Sequence, residues 1–393
     1  MAPSTSRSGV VAPGAVIGVV GGGQLGRMLA AAAHQLGYRV AVFTGGETDT
    51  PAGRVAEYEI AAPFDDAEAR RAFVEVSDVV TWEFENVDTV VGDEARAAGL
   101  PVRPAPELVR TCQDRRRERE MLGEAGVPHA PWSPVSSADE ILTWCDMWGG
   151  RALVKAARGG YDGKSQQLVD PADPRTVAAA AALCAAGPTI AESVVEFHRE
   201  VSVVVARSLD GTIVDHGVVV NTHVDGILDT SVTCTDPDLV EAATGLAWQV
   251  AAALELVGVA CVEMFDTGDG LLVNEIAPRP HNSGHLTIEA AAASQFDQQV
   301  RTVCGLPLGD GRCRPAAMAQ LLGEVWDSGD PDWSVVLARR GVHLHLYGKS
   351  EPRRGRKMGH LTVVGDSPDE ALERVTEARR ALIAAPRLAP VSP

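Results

Sequence analysis

The chain has 393 residues, 45% of them hydrophobic, with Lys+Arg 35 against Asp+Glu 53 and a net charge of −18. That length holds two or three domains with substantial cores, and the acidic balance excludes non-specific binding to nucleic acid or to an anionic membrane. The cysteines, at 112, 145, 184, 234, 261, 304 and 313, form no Cys-x-x-Cys pair. With no signal-peptide core and no run of about 18 apolar residues, the expectation is a cytoplasmic protein with buried, reduced thiols.

Residues 1–13 read as a disordered lead-in. Ala15–Val20 is a buried-type strand running into Gly21-Gly-Gly-Gln-Leu-Gly26, a helix at 27–36 and a strand at 39–43, which together make a βαβ unit. The loop matches Gly-x-Gly-x-x-Gly, whose amides suit a phosphate or form a tight turn without ligand. The second strand ends Val42-Phe43-Thr44-Gly45-Gly46 with no acid for a ribose, which disfavours a nicotinamide dinucleotide. Strands at 76–82 and 100–103 complete a doubly wound domain. Glu83 and Glu85 follow the strand ending at Trp82, where ligands of open α/β sheets collect, and share a side if that strand continues.

A charged helix spans 107–122, either a solvated face or one that brings Arg115 and Arg119 to a polyphosphate. Gly126–Trp132 is a Pro-rich connector, and Ser137 with Glu140 suits a capping box opening a helix to Trp148. A strand at 151–155, a Gly-rich loop at 156–165 and a return strand at 166–169 follow, with Lys155, Arg158 and Lys164 around glycines that permit close backbone approach. The loop reads as a mobile cover over a triphosphate or as an ordinary hairpin. Beyond an Ala-rich helix at 173–186, the edge Glu192–Val195 could offer backbone groups to adenine and Glu200 a carboxylate to ribose. A strand at 213–223 places Asn221 and His223 on one face, and a long amphipathic helix spans 236–256.

That helix should pack behind a hairpin of two apolar runs, 259–265 and 271–276, around Asp266-Thr-Gly-Asp-Gly270. A turn centred on Asp269 places Glu263 opposite Glu275, a like-charge pair that a divalent cation would relieve. Helices at 283–293 and 295–303 lead to a third unit. There two strands flank a loop with Lys349, Arg353, Arg354, Arg356 and Lys357, five cations in nine residues, suited to a substrate phosphate or left solvated. A helix at 367–383 closes the chain before a tail at 386–393.

The strings Gly-Gly-Gly-Gln-Leu-Gly-Arg-Met (21–28), Gly-Tyr-Asp-Gly-Lys (160–164), Asn-Glu-Ile-Ala-Pro-Arg-Pro-His-Asn-Ser-Gly-His (274–285) and Gly-Arg-Lys-Met-Gly-His (355–360) occur in this order. The sequence thereby resembles the ATP-grasp superfamily and, within it, the 5-(carboxyamino)imidazole ribonucleotide synthetase family. The resemblance implies an α/β ATP-grasp architecture: a Rossmann-like domain at 14–114, a central two-lobed α+β ATP-grasp domain at 115–308 and a small β-rich domain at 309–385. It implies a ligase that uses ATP and bicarbonate to carboxylate aminoimidazole ribonucleotide by way of carboxyphosphate, with another ATP-grasp carboxylase or a formate-dependent transformylase as the alternative. ATP would meet Arg115, Lys155, Gly160, Tyr161, Asp162, Gly163, Lys164, Ser165 and Gln166 at its phosphates, Glu192, Ser193, Val194 and Val195 at its base, Glu200 at its ribose, and His223, Asn274 and Glu275. Glu263 and Glu275 would carry Mg²⁺, or Mn²⁺ in its place. The ribonucleotide would meet Gln24, Leu25, Glu83 and Asn282, its phosphate Lys349 and Arg356, with Asp162, Tyr161 and Lys164 as the catalytic group. A homodimer is the family's habit. Ser165 stands where the family usually has glycine, and Ala277 where many relatives have a further metal-ligating Asn.

Overall fold

The computed structural model describes residues 9–160 and 165–386. The chain opens with β1 (Val16–Val20), α1 (Gln24–Gln35), β2 (Arg39–Phe43), β3 (Tyr58–Ile60), α2 (Ala67–Val76), β4 (Val79–Trp82), α3 (Val90–Ala97) and α4 (Pro106–Cys112). The strands pair in parallel in the order β3-β2-β1-β4. β1 and β4 are buried along their whole length, as a parallel sheet covered by helices on both faces requires.

Four expectations are corrected here. The strand anticipated at 100–103 is a single bridge between Val80 and Val102; Pro101 and Pro104 flank it and have no amide for a ladder. Val76 closes α2 instead of opening a strand. The charged helix at 107–122 breaks at Asp114, whose carboxylate accepts the Arg116 amide at 3.1 Å and caps a new helix, α5 (Arg115–Glu124). Within the anticipated lead-in, Val11 is buried; its amide donates to Cys304 O at 2.9 Å, and Tyr38 Oη donates to its carbonyl at 2.7 Å.

The next segment holds β5 (Trp132–Val135), α6 (Ala138–Trp148), β6 (Ala152–Ala156), β7 (Gln166–Val169), α7 (Pro174–Ala186) and β8 (Thr189–Ser193). Its strands form a separate antiparallel sheet of order β5-β8-β6-β7. Ser137 caps α6 by accepting the Glu140 amide, but the Glu140 carboxylate returns to the amide of Ser136, so the capping box is displaced by one residue.

A larger antiparallel sheet takes up the remainder: β9 (Arg199–Arg207), β10 (Ile213–Val224), β11 (Ile227–Thr233), α8 (Pro237–Ala253), β12 (Gly258–Asp266), β13 (Leu271–Ala277), α9 (Thr287–Ala290), α10 (Gln295–Cys304), β14 (Ala316–Leu322), α11 (Ser334–Leu337), β15 (Val342–Leu346), β16 (Lys357–Val364) and α12 (Pro368–Ala384). Its order is β13-β12-β9-β10-β11-β14-β16-β15, so the C-terminal strands continue the sheet of the central region through β11 and β14. α8 packs behind the β12–β13 hairpin as expected, burying Ala243, Ala247, Val250 and Ala251 against Val203, Val205, Ala260 and Val262. α10 packs instead on the first domain, where Phe296, Val300 and Val303 join Leu29, Ala33 and Val40.

The helix anticipated at 283–293 is a 3₁₀ turn, Asn282–Leu286, followed by the single turn α9. Its hydroxyls compete with regular helix bonds: Ser283 Oγ meets Ser202 Oγ at 2.8 Å, and Thr287 Oγ1 donates to Gly284 O at 2.6 Å. All the cysteines are free, three of them buried (Cys145, Cys261, Cys304) and the others partly so. Among the described residues no helix is long and apolar enough to cross a membrane.

Candidate active site

β12 and β13 pair from Asp266–Leu271 to Met264–Val273; a bulge then leaves Asn274 outside the ladder, and pairing resumes at Glu263–Glu275. The two carboxylates face each other as their spacing anticipated. The hairpin tip is one residue out of step with that register, and the bulge absorbs the difference. Burial, reinforced by Glu275, pushes the Glu263 carboxyl up to about 7. His281 Nε2 lies 3.0 Å from Glu263 Oε1, and Arg115 Nη2 lies 3.4 Å from Glu275 Oε2.

A cavity of about 300 Å³ opens over this pair, and the structure brings Arg115, Lys155, Gln166, Glu200, His223, Glu263, Asn274, Glu275 and Asn282 together around it. Lys155 comes from β6; its Nζ lies 2.6 Å from Glu192 Oε2, and burial lowers its pKa despite that partner. Glu192 is buried too, yet Arg119 and Lys155 outweigh the burial and draw its carboxyl down to about 2. Its side chain is therefore occupied, and its backbone lies in a strand paired on both sides, with β5 and with β6. Glu200 Oε2 lies 2.5 Å from His223 Nδ1; burial opposes charge on the imidazole, but the carboxylate prevails and raises its pKa. Asn221 shares that face but is turned inward, bonded to Ser202 and Ser231.

An adjoining pocket of about 210 Å³ is mostly apolar and is lined by Glu192, Ser193, Val194 and Val195 together with Leu153, Phe197 and Phe265. The two phenylalanine rings stack at 4.6 Å and 14°. Base-sized and flat-walled, it meets the 300 Å³ cavity at Leu153, Lys155, Phe265 and Asn274, which line both. Gly160 lines a narrow cleft beside Arg115 and Glu275. Ser165 closes the Gly-rich loop, its carbonyl accepting from the Ala156 amide at 2.9 Å and its φ at +61°, a conformation glycine adopts without strain. Tyr161, Asp162, Gly163 and Lys164 lie outside the described residues.

The first domain contributes differently from expectation. The amides of Gly23, Leu25 and Gly26 turn toward the carboxylate of Glu83, with Leu25 N donating to Oε1 at 3.2 Å. The anion-suited loop thus holds a carboxylate of its own chain, which corrects the phosphate reading of residues 21–26. Burial raises the Glu83 pKa despite those amides. Gln24, Leu25 and Glu83 do not line the cavity; Glu85 does. The chain leaves the strand at Trp82, so the two acids part: Glu83 goes under the loop, and Glu85 pairs with Arg279, whose Nη2 donates to Oε1 at 2.9 Å. Lys349 lies 5.8 Å from the Tyr347 ring centroid, and Arg356 donates to Glu351 O at 2.8 Å. From that basic loop, Lys357 is the side chain that lines the cavity. Of the lining residues Glu85, Arg279, His281 and Lys357, the sequence reading weighed Glu85 as a substrate contact and Lys357 among the phosphate-suited cations, and gave the other two no role. The string 274–285 contained two of them, but spacing alone did not say which would turn inward.

Comparison with known proteins bears on the whole chain. Residues 15–113 match the ribonucleotide synthetase preATP-grasp domain, 120–296 the ATP-grasp domain, and 316–374 the phosphoribosylaminoimidazole carboxylase C-terminal domain. An N5-carboxyaminoimidazole ribonucleotide synthase of Bacillus subtilis is 41% identical over 372 residues, covering 93% of this chain and 96% of its own. The crystal structure of the Thermus thermophilus synthetase superposes with a TM-score of 0.85 at 36% identity, covering 95% of this chain and 100% of that one. The Aspergillus clavatus synthase, solved in complex with ADP and 5-aminoimidazole ribonucleotide, gives 0.84 at 28%, covering 94% and 98%. With this coverage at both sequence and fold level, the chain belongs to the N5-carboxyaminoimidazole ribonucleotide synthase family of ATP-grasp enzymes.

Proposed function

We propose that the protein is a ligase of purine biosynthesis that carboxylates the exocyclic amine of 5-aminoimidazole ribonucleotide, consuming ATP and bicarbonate and yielding N5-carboxyaminoimidazole ribonucleotide, ADP and phosphate. The observation that carries this reading is the opposed pair Glu263 and Glu275 at a bulge, ringed by Arg115, Lys155 and Arg279 and adjoined by a base-sized apolar pocket. The names of the relatives support the same reaction.

The donor set fits a hard cation. Among the described residues no three His, Cys, Asp or Glu side chains converge as a metal cluster, and Ala277 adds no ligand. A divalent ion would therefore rest on Glu263 and Glu275 and take its remaining ligands from nucleotide phosphates and water, which is the habit of Mg²⁺, with Mn²⁺ as a substitute. When bound, it would neutralise charge on the transferring phosphoryl group.

The chain's own residues do the rest. The base would enter the pocket beside Val194, Val195 and the stacked phenylalanines, with Glu200 and His223 at the ribose side and Lys155, Arg115 and the loop from Gly160 to Gln166 at the phosphates. A bicarbonate oxygen attacks the γ-phosphorus, the bond to the bridging oxygen of ADP breaks, and carboxyphosphate forms. It splits into CO₂ and phosphate, and the ribonucleotide amine attacks the carbon while its proton passes to a base. Asp162 is assigned that base, flanked by Tyr161 and Lys164, on the motif they share with the family. Asn282 and Lys357 face the acceptor, with Lys349 and Arg356 toward its phosphate. A closed loop keeps water from the labile intermediate. A cytoplasmic homodimer completes the reading, its assembly open to light scattering.

Coupled detection of ADP tests the reaction. Release should require both bicarbonate and 5-aminoimidazole ribonucleotide; release that persists without either, or that needs formate instead, overturns it.

A further inference from the structure

Helix α5 carries Arg115, Glu118 and Arg119 at the i, i+3, i+4 spacing that sets side chains on one face. All three reach the same short stretch of β13, the outermost strand of its sheet, whose outer edge is met by main chain at Val273, the amide donating to Pro128 O at 2.8 Å. Arg119 Nη2 donates to Asn274 O at 2.6 Å, and Glu118 Oε2 accepts the Ile276 amide at 3.0 Å. Between those two anchors stands Glu275, its carboxylate 3.4 Å from Arg115 Nη2.

Glu118 and Arg119 are each only 1% exposed and neither lines the 300 Å³ cavity, although Glu118 borders the narrow cleft beside Glu275 and Arg119 borders the 210 Å³ apolar pocket. They are also bonded to each other, Arg119 Nη1 to Glu118 Oε1 at 2.7 Å. Arg119 has a second commitment: its Nε donates to Glu192 Oε1 at 2.7 Å, and Glu192 Oε2 meets Lys155 Nζ at 2.6 Å. One guanidinium therefore bonds at once to the floor of the site, through Asn274, and to the small sheet above it, through Glu192 on β8. A lysine carries the same charge but not the planar fork that makes those bonds simultaneously.

We propose that Glu118 and Arg119 are positioning residues that hold the bulged stretch Asn274–Ile276, so that Glu275 faces Glu263 at a cation-binding separation while Lys155 is fixed relative to both. The inference rests on the metal reading above. Neither residue touches the reacting atoms; both act through the backbone of β13 and through Glu192.

The test uses the full chain with Arg119→Lys, Glu118→Gln and, as a control, Glu275→Gln. Mn²⁺ binding in the presence of ADP is followed by the electron paramagnetic resonance signal of free Mn²⁺, metal-free ADP binding by calorimetry, and folding by a single cooperative melt. Outer-shell partners of metal ligands are worth about 10–100-fold in affinity. Arg119→Lys should weaken Mn²⁺ by about that factor. Glu118→Gln should lose less, since its amide oxygen can still accept from Ile276, and its metal-free ADP affinity should stay within about 3-fold of the wild type; in Arg119→Lys any loss of metal-free ADP binding should be smaller than the loss of metal. Wild-type Mn²⁺ affinity in a folded Glu118→Gln or Arg119→Lys protein overturns the proposal. So does a loss of metal-free ADP binding equal to the loss of metal, which would make Arg119 a nucleotide contact. If the arginine variant does not fold, the glutamine variant decides. Unchanged Mn²⁺ binding in Glu275→Gln refutes the metal reading itself and not only the positioning role.

Discussion

His281 donates from Nε2 to Glu263 Oε1 at 3.0 Å, and its tautomer is set from the far side of the ring, where the Ser283 amide points at Nδ1. A backbone amide can only donate, so Nδ1 keeps its lone pair and Nε2 carries the hydrogen. Ser283 Oγ, 2.9 Å from Nδ1, extends the chain inward to Ser202. Replacing His281 by Phe should free Glu263 and raise the Mg²⁺ concentration needed for half-maximal rate by about 10-fold or more. His281→Gln, which restores a donor, should recover part of it. A magnesium titration in which both variants match the wild type would contradict this.

The glycine loop around Glu83 predicts strong coupling. A Cβ at Gly23 would lie 2.4 Å from Glu83 Oε1, too close without displacement of the carboxylate. Gly23→Ala should cost about 2–3 kcal/mol by urea denaturation. In a Glu83→Ala background the same change should cost at least about 1 kcal/mol less, because the clash is gone. Additive effects would show that the loop and Glu83 do not share this space.

Phe197 is 43% exposed, yet it stacks on Phe265 at the mouth of the apolar pocket. An exposed aromatic with a partner of this kind suits a nucleotide base. Phe197→Ala should raise the KM for ATP by about 5- to 10-fold with kcat little changed, the signature of binding energy equal in ground and transition states. A fall in kcat at constant KM would count against a base-binding role.

Acid should destabilise the fold through a histidine remote from the cavity. Burial holds His216 down to about 4, its Nδ1 bonded to Gly311 O at 3.0 Å. The unfolded imidazole titrates near 6.5, so below that pH the unfolded chain binds a proton the folded one refuses. Its penalty is absent above about 6.5 and grows by roughly 1 kcal/mol per pH unit as pH falls toward about 4. Urea midpoints measured from pH 7.5 to 5 should fall less steeply for His216→Asn than for the wild type. His285 and His360, also held well below their ordinary value by burial, add to the wild-type slope in the same sense.

Much of this architecture was legible where one period dominated. β2 and β7 end where their apolar and turn residues place them; the opposed glutamates were anticipated from a symmetric hairpin, but it is the bulge at Asn274 that brings them face to face. Elements whose composition argued against them were not legible. β14 reads Ala-Ala-Met-Ala-Gln-Leu-Leu, a helix-former's string, and is a strand because β11 and β16 pair with it on either side. β5 contains Pro134 but survives at a sheet edge. In the site, charge patterning located the cations without saying which were buried. Arg119 sits in a run that looks solvated, and only the tertiary placement of Glu192 and Asn274 shows why it is not. The parting of Glu83 and Glu85 likewise depends on where the strand stops, a boundary that local pattern leaves loose.

The long mixed-origin sheet has a mechanical consequence. Glu263 on β12 and Lys357 on β16 are five strand steps apart, which in a flat sheet would separate them by roughly 24 Å. They nevertheless line one cavity, and Lys357 is close enough to favour charge on Glu263. The sheet must therefore curl into a trough, and the irregularities between β12 and β16, at Asp215/Val218, Thr222/His223 and Leu321/Leu322, suit such curling. A trough stitched by continuous ladders has no hinge between the wall that would grip phosphate and the wall that would grip metal. The four-stranded sheet that carries Lys155 shares no ladder with that trough, so Lys155 is joined to it by side-chain bonds through Glu192 and Arg119 and not by strand pairing.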